Sequence, residues 1–305
     1  MLDVRRLQAL REIAAVGSFS RAAGALGYTQ SAVSQQIAVL ERETGLHLLN
    51  RGTRPVTLTE AGGALLRAAE PIFGHLVQAE RLVEELAGTR ARRLRLAAFP
   101  SACSTILPEA IATERARNPD TELDLVEAEP GDAGRLLKAG EVDLAVAYTY
   151  PALDERPDPA LEASALFDEP LLLVLPCGHA LLARGSLSLT DLASEPWIVP
   201  PSDGPSASYR LLLMAACRDA AFEPRIAFEI EDTRAAEALV AEGQGAALMP
   251  ALALEPITHA VVVRNLDHPT LVRRISTWRL AGPSPHPPAV TSIQDALEAA
   301  ARRFC

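Results

Sequence analysis

The stretch SFSRAAGALGYTQSAVSQQIAVLERETG, Ser18 to Gly45, decides how the first sixty residues are read. Ser18 or Ser20 is placed to cap a short helix, RAAGALG, that ends at Gly27, where a left-handed residue costs little. Tyr28-Thr29 makes a turn, and Thr29 is placed to cap a second helix from about Gln30 to Thr44, stopped by Gly45. Inside it Val33, Ile37 and Leu40 recur at spacings of three and four, which predicts a core-facing stripe. Gln30, Ser31, Ser34 and Gln35 then fall on the opposite, N-terminal face. Upstream, Val4, Leu7, Leu10, Ile13 and Ala14 share one face of an opening helix. Two short helices joined by a glycine-containing turn make a helix-turn-helix.

A solvated polar face is the plainest reading of two glutamines and two serines. They are also the side chains that read base edges in a major groove, glutamine pairing bidentately with adenine and serine with several bases. The next segment, LHLLNRGTRPVTLTEAG, favours that second reading. It predicts an apolar strand, a tight RGTRP tip carrying Arg51 and Arg54, and a returning VTLT strand. That is a wing whose tip arginines reach phosphate or the minor groove. From Leu7 to Gly62 the chain resembles, in order and spacing, the winged helix-turn-helix of the LysR-type transcriptional regulators. One departure is Leu49, where that family often has an aromatic residue, a change confined to packing under the wing. The reading assigns base contacts on double-stranded DNA to Gln30, Ser31, Ser34 and Gln35, and backbone or wing contacts to Ser18, Thr29, Arg51 and Arg54.

Charge agrees with a split molecule. Residues 1–95 hold 13 arginines and no lysine against 9 acidic residues, net +4, whereas 96–305 hold 16 basic against 30 acidic residues, net −14. Phosphate attracts only the part that touches it. At 305 residues and 49% hydrophobic composition, the chain exceeds the roughly 250 residues at which one core stops growing. The N-terminus MLDVRRLQALREI has amphipathic helical spacing, not a basic patch followed by an apolar block, so no signal peptide is read. No apolar run reaches the roughly 18 residues of a membrane span, which predicts a soluble cytoplasmic protein. The four cysteines (Cys103, Cys177, Cys217, Cys305) form no C-x-x-C pair, and the histidines show no metal-ligand spacing. No metal or cofactor site is predicted, and His179 reads as structural.

Thr59 is placed to cap a long segment, EAGGALLRAAEPIFGHLVQAERLVEELAG. Leu65, Ala69, Ile72, Leu76, Ala79, Val83 and Leu86 alternate four and three apart, a seam of about three heptads. It suits either a helix packed on its own domain or, as the family resemblance implies, a dimerising linker. Pro71 lies inside the pattern and is expected to kink the helix or break it near Glu70.

From residue 90, strand and helix patterns alternate: RRLRLAAFP, TELDLVEAE, GDAGRLLKAG, EVDLAVAY, PLLLVLP, PWIVP, SYRLLLMAACRDA, RIAFEIE, TRAAEALVAEGQG, AALMP. Alternation argues for α/β architecture with parallel strands. The resemblance continues through GEVDLAV, LVLPCGHALL and LVAEGQGAALMP. It implies a two-lobed effector domain folded like a type 2 periplasmic solute-binding protein. The expected organisation is an all-α winged helix-turn-helix over 1–58, a linker helix over 59–89 and an effector domain over 90–305. Lobe I takes 92–160 and 268–305, lobe II takes 161–267, and two crossings between them form a hinge.

Ligands of such folds sit at the carboxyl ends of strands, beside helix N-termini. FPSACST places Pro100, Ser101 and Ala102 after the first strand, and PPSDGPSAS places Ser202 and Ser206 after PWIV. Serine-, glycine- and proline-rich loops are also ordinary turns. Their matching places in both lobes favour a cradle for a carboxylate or other anion. Tyr148, Asp232, Thr233 and Pro250 are further wall candidates. No arginine in the sequence is visibly committed to a carboxylate, leaving the ligand's charge open.

A ligand-responsive transcription factor is the leading function. The resemblance implies a homodimer or homotetramer, with RNA polymerase a further candidate partner. A cytoplasmic small-molecule binder or enzyme with an incidental helical head is the competing class. No nucleophile with a base, paired carboxylates or cofactor loop supports it, and GQGAAL near Gly243 lies in the wrong order for a dinucleotide fingerprint. A third reading is a cysteine redox signal, with Cys103 beside the expected cleft and Cys217 on a helix.

Overall fold

The computed structural model describes residues 2–50, 52, 54–87, 93–257, 259–266, 268–282 and 288–304. The chain forms two compact units, Met1–Leu76 and Val77–Cys305.

In the first unit, α1 (Val4–Val16), α2 (Phe19–Ala25) and α3 (Gln30–Thr44) precede a two-stranded hairpin, β1 (Leu49–Asn50) with β2 (Thr57–Leu58); α4 (Glu60–Leu86) begins there and ends beyond Leu76. Each boundary has a local cause. Asp3 caps α1 through the Arg5 N–H, Ser18 caps α2 through the Arg21 N–H, and Thr29 caps α3 through the Ala32 N–H. α2 closes two residues before Gly27, which follows at φ 68° while the Tyr28 N–H reaches the Ala23 carbonyl at 2.9 Å. That six-to-one bond is a Schellman closure. Val33, Ile37 and Leu40 are fully buried with Leu7, Leu10 and Ile13.

Thr59 caps α4, accepting the Gly62 N–H at 3.0 Å and donating to the His47 carbonyl at 2.7 Å. A side chain at Gly62 would put Cβ 2.1 Å from the Leu48 carbonyl oxygen, so only glycine lets the helix lie this close to the wing. The expected break near Glu70 does not occur. α4 continues through Pro71 as one 27-residue element, because the ring costs the ladder one N–H while packing on both sides holds the rest. The seam itself divides. Ala69, with Phe73, is buried in the core of the first unit and Leu65 packs against it, whereas Ile72, Leu76 and Val83 are exposed, Val83 by 65%.

The second unit alternates β3 (Arg93–Ala98), α5 (Pro100–Arg117), β4 (Glu122–Glu127), α6 (Pro130–Lys138) and β5 (Leu144–Thr149), followed by the 16-residue β6 (Leu161–Pro176). Then come β7 (Pro196–Val199), α7 (Ala207–Asp219), β8 (Arg225–Glu229), α8 (Thr233–Ala241), β9 (Ala247–Pro250), β10 (Val261–Arg264), β11 (Val272–Leu280) and α9 (Pro288–Ala301). The seven-stranded sheet runs β10-β6-β11-β5-β3-β4, with β9 also on β6. The expectation of parallel strands holds only for β3 with β4 and β5, and for the separate pair β7–β8. β11 is antiparallel to β5 and β6, and β9 and β10 are antiparallel to β6. The cause is β6, one strand that serves two sheets. Leu161–Pro170 pairs with β11, and Leu171–Pro176 pairs with β9 and β10. β6 is therefore one crossing between the two lobes, and the chain from β10 to β11 is the other.

Candidate functional site

Two surfaces gather the residues singled out from the sequence. On α3, Gln30, Ser31 and Gln35 are exposed and Ser34 is half-buried; Ser31 and Gln35 face away from Val33, Ile37 and Leu40, whereas Gln30 shares their helical phase and is exposed at the first turn. The Thr29 hydroxyl lies 3.0 Å from the Ser31 hydroxyl while it caps α3, and the Ser18 hydroxyl accepts the Arg21 N–H at 3.4 Å. Both hydroxyls thus hold helix starts, where free N–H groups carry a partial positive charge. Tyr28, 46% exposed, stands beside them. Arg54 is exposed next to the hairpin; Arg51 lies outside the described residues. Arg6 pairs with Glu43 at 2.5 Å, joining α1 to α3.

The second surface is a cavity of about 600 Å³ in the Val77–Cys305 unit, lined from both lobes. Pro100, Ser101, Tyr148, Ser206, Asp232, Thr233 and Pro250 all line it. Two expected members do not. Ala102 is fully buried in the main core, because one step along α5 turns its side chain from cleft to core. Ser202 is exposed in a turn and is not among the lining residues, because α7 starts only at Ala207 and leaves Ser206 as its N-cap.

The structure adds residues that the sequence did not single out: Phe99, Glu127, Glu129, Tyr150, Tyr209, Glu231 and Arg273. Arg273 on β11 is 4% exposed and Glu169 on β6 is 2% exposed; the Arg273 Nε donates to Glu169 Oε2, and Nη2 donates to the Ser101 hydroxyl at 2.9 Å. Glu169 also accepts the Leu252 N–H at 2.6 Å. The guanidinium lies over the rings of Phe99 and Tyr148, 4.7 Å from each centroid. Burial alone lowers its pKa, but Glu169 and the neighbouring tyrosines outweigh that and raise it, so Arg273 is a fixed cation. A faint sequence signal existed, since strand alternation puts Arg273 in phase with buried Ile275 and Arg274 in the exposed phase.

Glu129 precedes α6 and accepts the Tyr148 hydroxyl at 2.7 Å. Burial holds its carboxyl above the usual range, against the pull of Tyr148 and Arg273, and Glu231 pushes it the same way. Glu231 accepts the Ser206 hydroxyl at 2.5 Å. Asp232 caps α8 through the Ala235 N–H at 2.7 Å, and Arg234 donates to Glu237 at 3.0 Å. The Tyr209 hydroxyl donates to the Leu248 carbonyl at 2.7 Å. Cys103, on α5, is half-buried and is not among the lining residues, its thiol pushed up to about 11 by burial first and then by Glu127 and Glu129. Cys217 is buried and pushed up to about 12. Such thiols carry almost no thiolate at neutral pH, which disfavours the redox reading.

Two family models divide the chain as the geometry does. Residues 4–63 match the "bacterial regulatory helix-turn-helix protein, lysR family" and residues 87–302 match the "LysR substrate binding domain". The chain is 28% identical over 299 residues to the probable HTH-type transcriptional regulator LrrA of Synechococcus elongatus, covering 97% of this chain and 96% of that protein. It is 32% identical over 248 residues to the HTH-type transcriptional regulator ShiR of Corynebacterium glutamicum, covering 81% of this chain and 82% of that one. Full-length CbnR, solved with its target DNA, shares the fold at a TM-score of 0.60 and 22% identity, over 98% of this chain and 100% of that one. With a helix-turn-helix head, a two-lobed body enclosing a cavity, and both family models matching in order, the chain belongs to the LysR-type transcriptional regulators.

Proposed function

We propose that this regulator reads its operator through the N-terminal face of α3, with Gln30, Ser31, Ser34 and Gln35 on base edges. Ser18, Thr29, Arg51 and Arg54 serve the DNA backbone and the wing. The observation that carries this is the division of α3: its apolar stripe is fully buried while Gln30, Ser31 and Gln35 stand exposed above a capped helix start. The exposed Ile72, Leu76 and Val83 on α4 support a linker that pairs two copies of the chain, which calls for a pseudo-palindromic operator. The interlobe cavity is the effector site. A ligand there changes DNA binding to the extent that it binds one arrangement of the lobes better than the other.

The test is competition of specific against non-specific duplex for the full chain and for a Gln30→Ala, Ser34→Ala variant. Each good base contact contributes about 1–3 kcal/mol of discrimination, so the specific-to-non-specific ratio is expected to fall by about tenfold or more. An unchanged ratio removes the assignment of α3 as the recognition helix.

A further inference from the structure

We propose that the effector of this regulator carries an organic cation, a primary ammonium or guanidinium group, bound between Glu129 of one lobe and Glu231 of the other. The proposal rests on the reading of the interlobe cavity as the effector site and narrows it. It runs against the anion cradle expected from the sequence, for a reason visible group by group. Several of the groups such a cradle would use are already engaged within the chain itself. Arg273 donates from Nε to Glu169 and from Nη2 to the Ser101 hydroxyl. The Ser206 hydroxyl donates to Glu231. The start of α8 is closed by the Asp232 carboxylate. Arg234 is spent on Glu237.

Four carboxylates, Glu127, Glu129, Glu231 and Asp232, line the cavity against two arginines, Arg234, which donates to Glu237, and Arg273, which donates to Glu169 and also acts on Glu129. An anion entering here meets like charge, while an ammonium or guanidinium gains charge-assisted hydrogen bonds from both sides. Among the described residues no three histidine, cysteine, aspartate or glutamate side chains converge on a metal position, and the walls include Tyr150, Tyr209, Ile198 and Leu248. This apolar, aromatic lining suits an organic body carrying the cation. Its volume, about 600 Å³, lies within the ordinary range for small-molecule sites.

A Cβ at Gly204 would stand 2.7 Å from Glu231 Oε2, so alanine there pushes the end of that flexible side chain aside. Gly204→Ala therefore displaces Glu231 while keeping its charge, which separates position from net charge.

The experiment is a tryptophan-fluorescence melt of the full chain with three amines (agmatine, putrescine, phenethylamine) and two carboxylates (succinate, benzoate), each at 10 mM. It is repeated on Glu129→Gln, Glu231→Gln and Gly204→Ala. Glu231 is exposed, so its variant is expected to fold, and its ligand-free melt checks that it does. The expected result is a rise in Tm with at least one amine and none with the carboxylates. The amine's affinity should fall by about tenfold or more in Glu231→Gln and Glu129→Gln, and measurably in Gly204→Ala. A rise with a carboxylate alone overturns the cation while keeping the cavity as the effector site. An amine effect that survives in all three variants overturns the assignment to Glu129 and Glu231. No shift with either class overturns both the cation and the reading of the cavity.

Discussion

Glutamine in place of Glu169 removes the charge that Arg273 faces where β6 and β11 run together. At 2% and 4% exposure, both side chains are almost wholly withdrawn from water. Leaving one member of such a pair without its partner costs about 3–5 kcal/mol. The rings of Phe99 and Tyr148 under the guanidinium offset roughly 1 kcal/mol of that, so the expected loss is about 2–4 kcal/mol. In a unit of this size 1 kcal/mol moves Tm by about 2–4 °C, which gives a fall near 10 °C. Both tryptophans of the chain, Trp197 and Trp278, lie in the Val77–Cys305 unit, so intrinsic fluorescence follows this unit alone and the helix-turn-helix unit does not blur the transition. Arg273→Met strands Glu169 instead and is expected to cost a similar amount. A Glu169→Met, Arg273→Met double variant removes both charges and should cost less than the sum of the single changes by about 2 kcal/mol or more. Single variants that each melt within about 2 °C of the parent, or a double variant that is simply additive, would refute the account of the pair as a closed, mutually dependent unit.

Glu129 is held above the usual carboxyl value of 4.5 chiefly by burial. Its protonated form is favoured on folding, so its contribution to stability is full below about pH 4.5 and is lost as pH rises through the raised value. Glu129→Gln should flatten the Tm–pH curve just above pH 4.5, and superimposable curves would exclude this. Alkylation at pH 7.5 should label exposed Cys177 well before Cys103 and Cys217, whose thiols are pushed up to about 11 and about 12. Peptide mapping that finds Cys103 or Cys217 modified first would reopen the redox reading.

The helical head was legible because its signals are local. Thr29 caps three residues ahead, Gly45 stops a helix at its own position, and the Val33–Ile37–Leu40 stripe needs only the helical period. The cleft was legible where the signal is also local. Ser101, Tyr148, Thr233 and Pro250 stand at strand ends or helix starts, places a sequence pattern marks. Ala102 was misassigned because one residue along a helix turns the side chain by about 100°, and strand-end logic does not carry that phase. Arg273 was missed because its partner Glu169 is 104 residues away and meets it only through the antiparallel pairing of β6 with β11. Glu129 and Glu231 were missed because a carboxylate just before a helix reads as an ordinary helix-start residue, and only the facing of two lobes turns the pair into one feature.

That facing pair also supplies what an effector needs in order to act. A ligand shifts a two-state equilibrium only by its difference in affinity for the two states. Glu231 already pushes the Glu129 carboxyl up across the cleft, and like charges repel more strongly as they approach. A cation between them replaces that repulsion with two attractions, and it does so fully only when the lobes are close. The pair Arg273–Glu169 plays a different part, because it is bonded between the crossing strands β11 and β6. It ties the crossing strands together, while on the proposed reading the opposed carboxylates set the balance between open and closed.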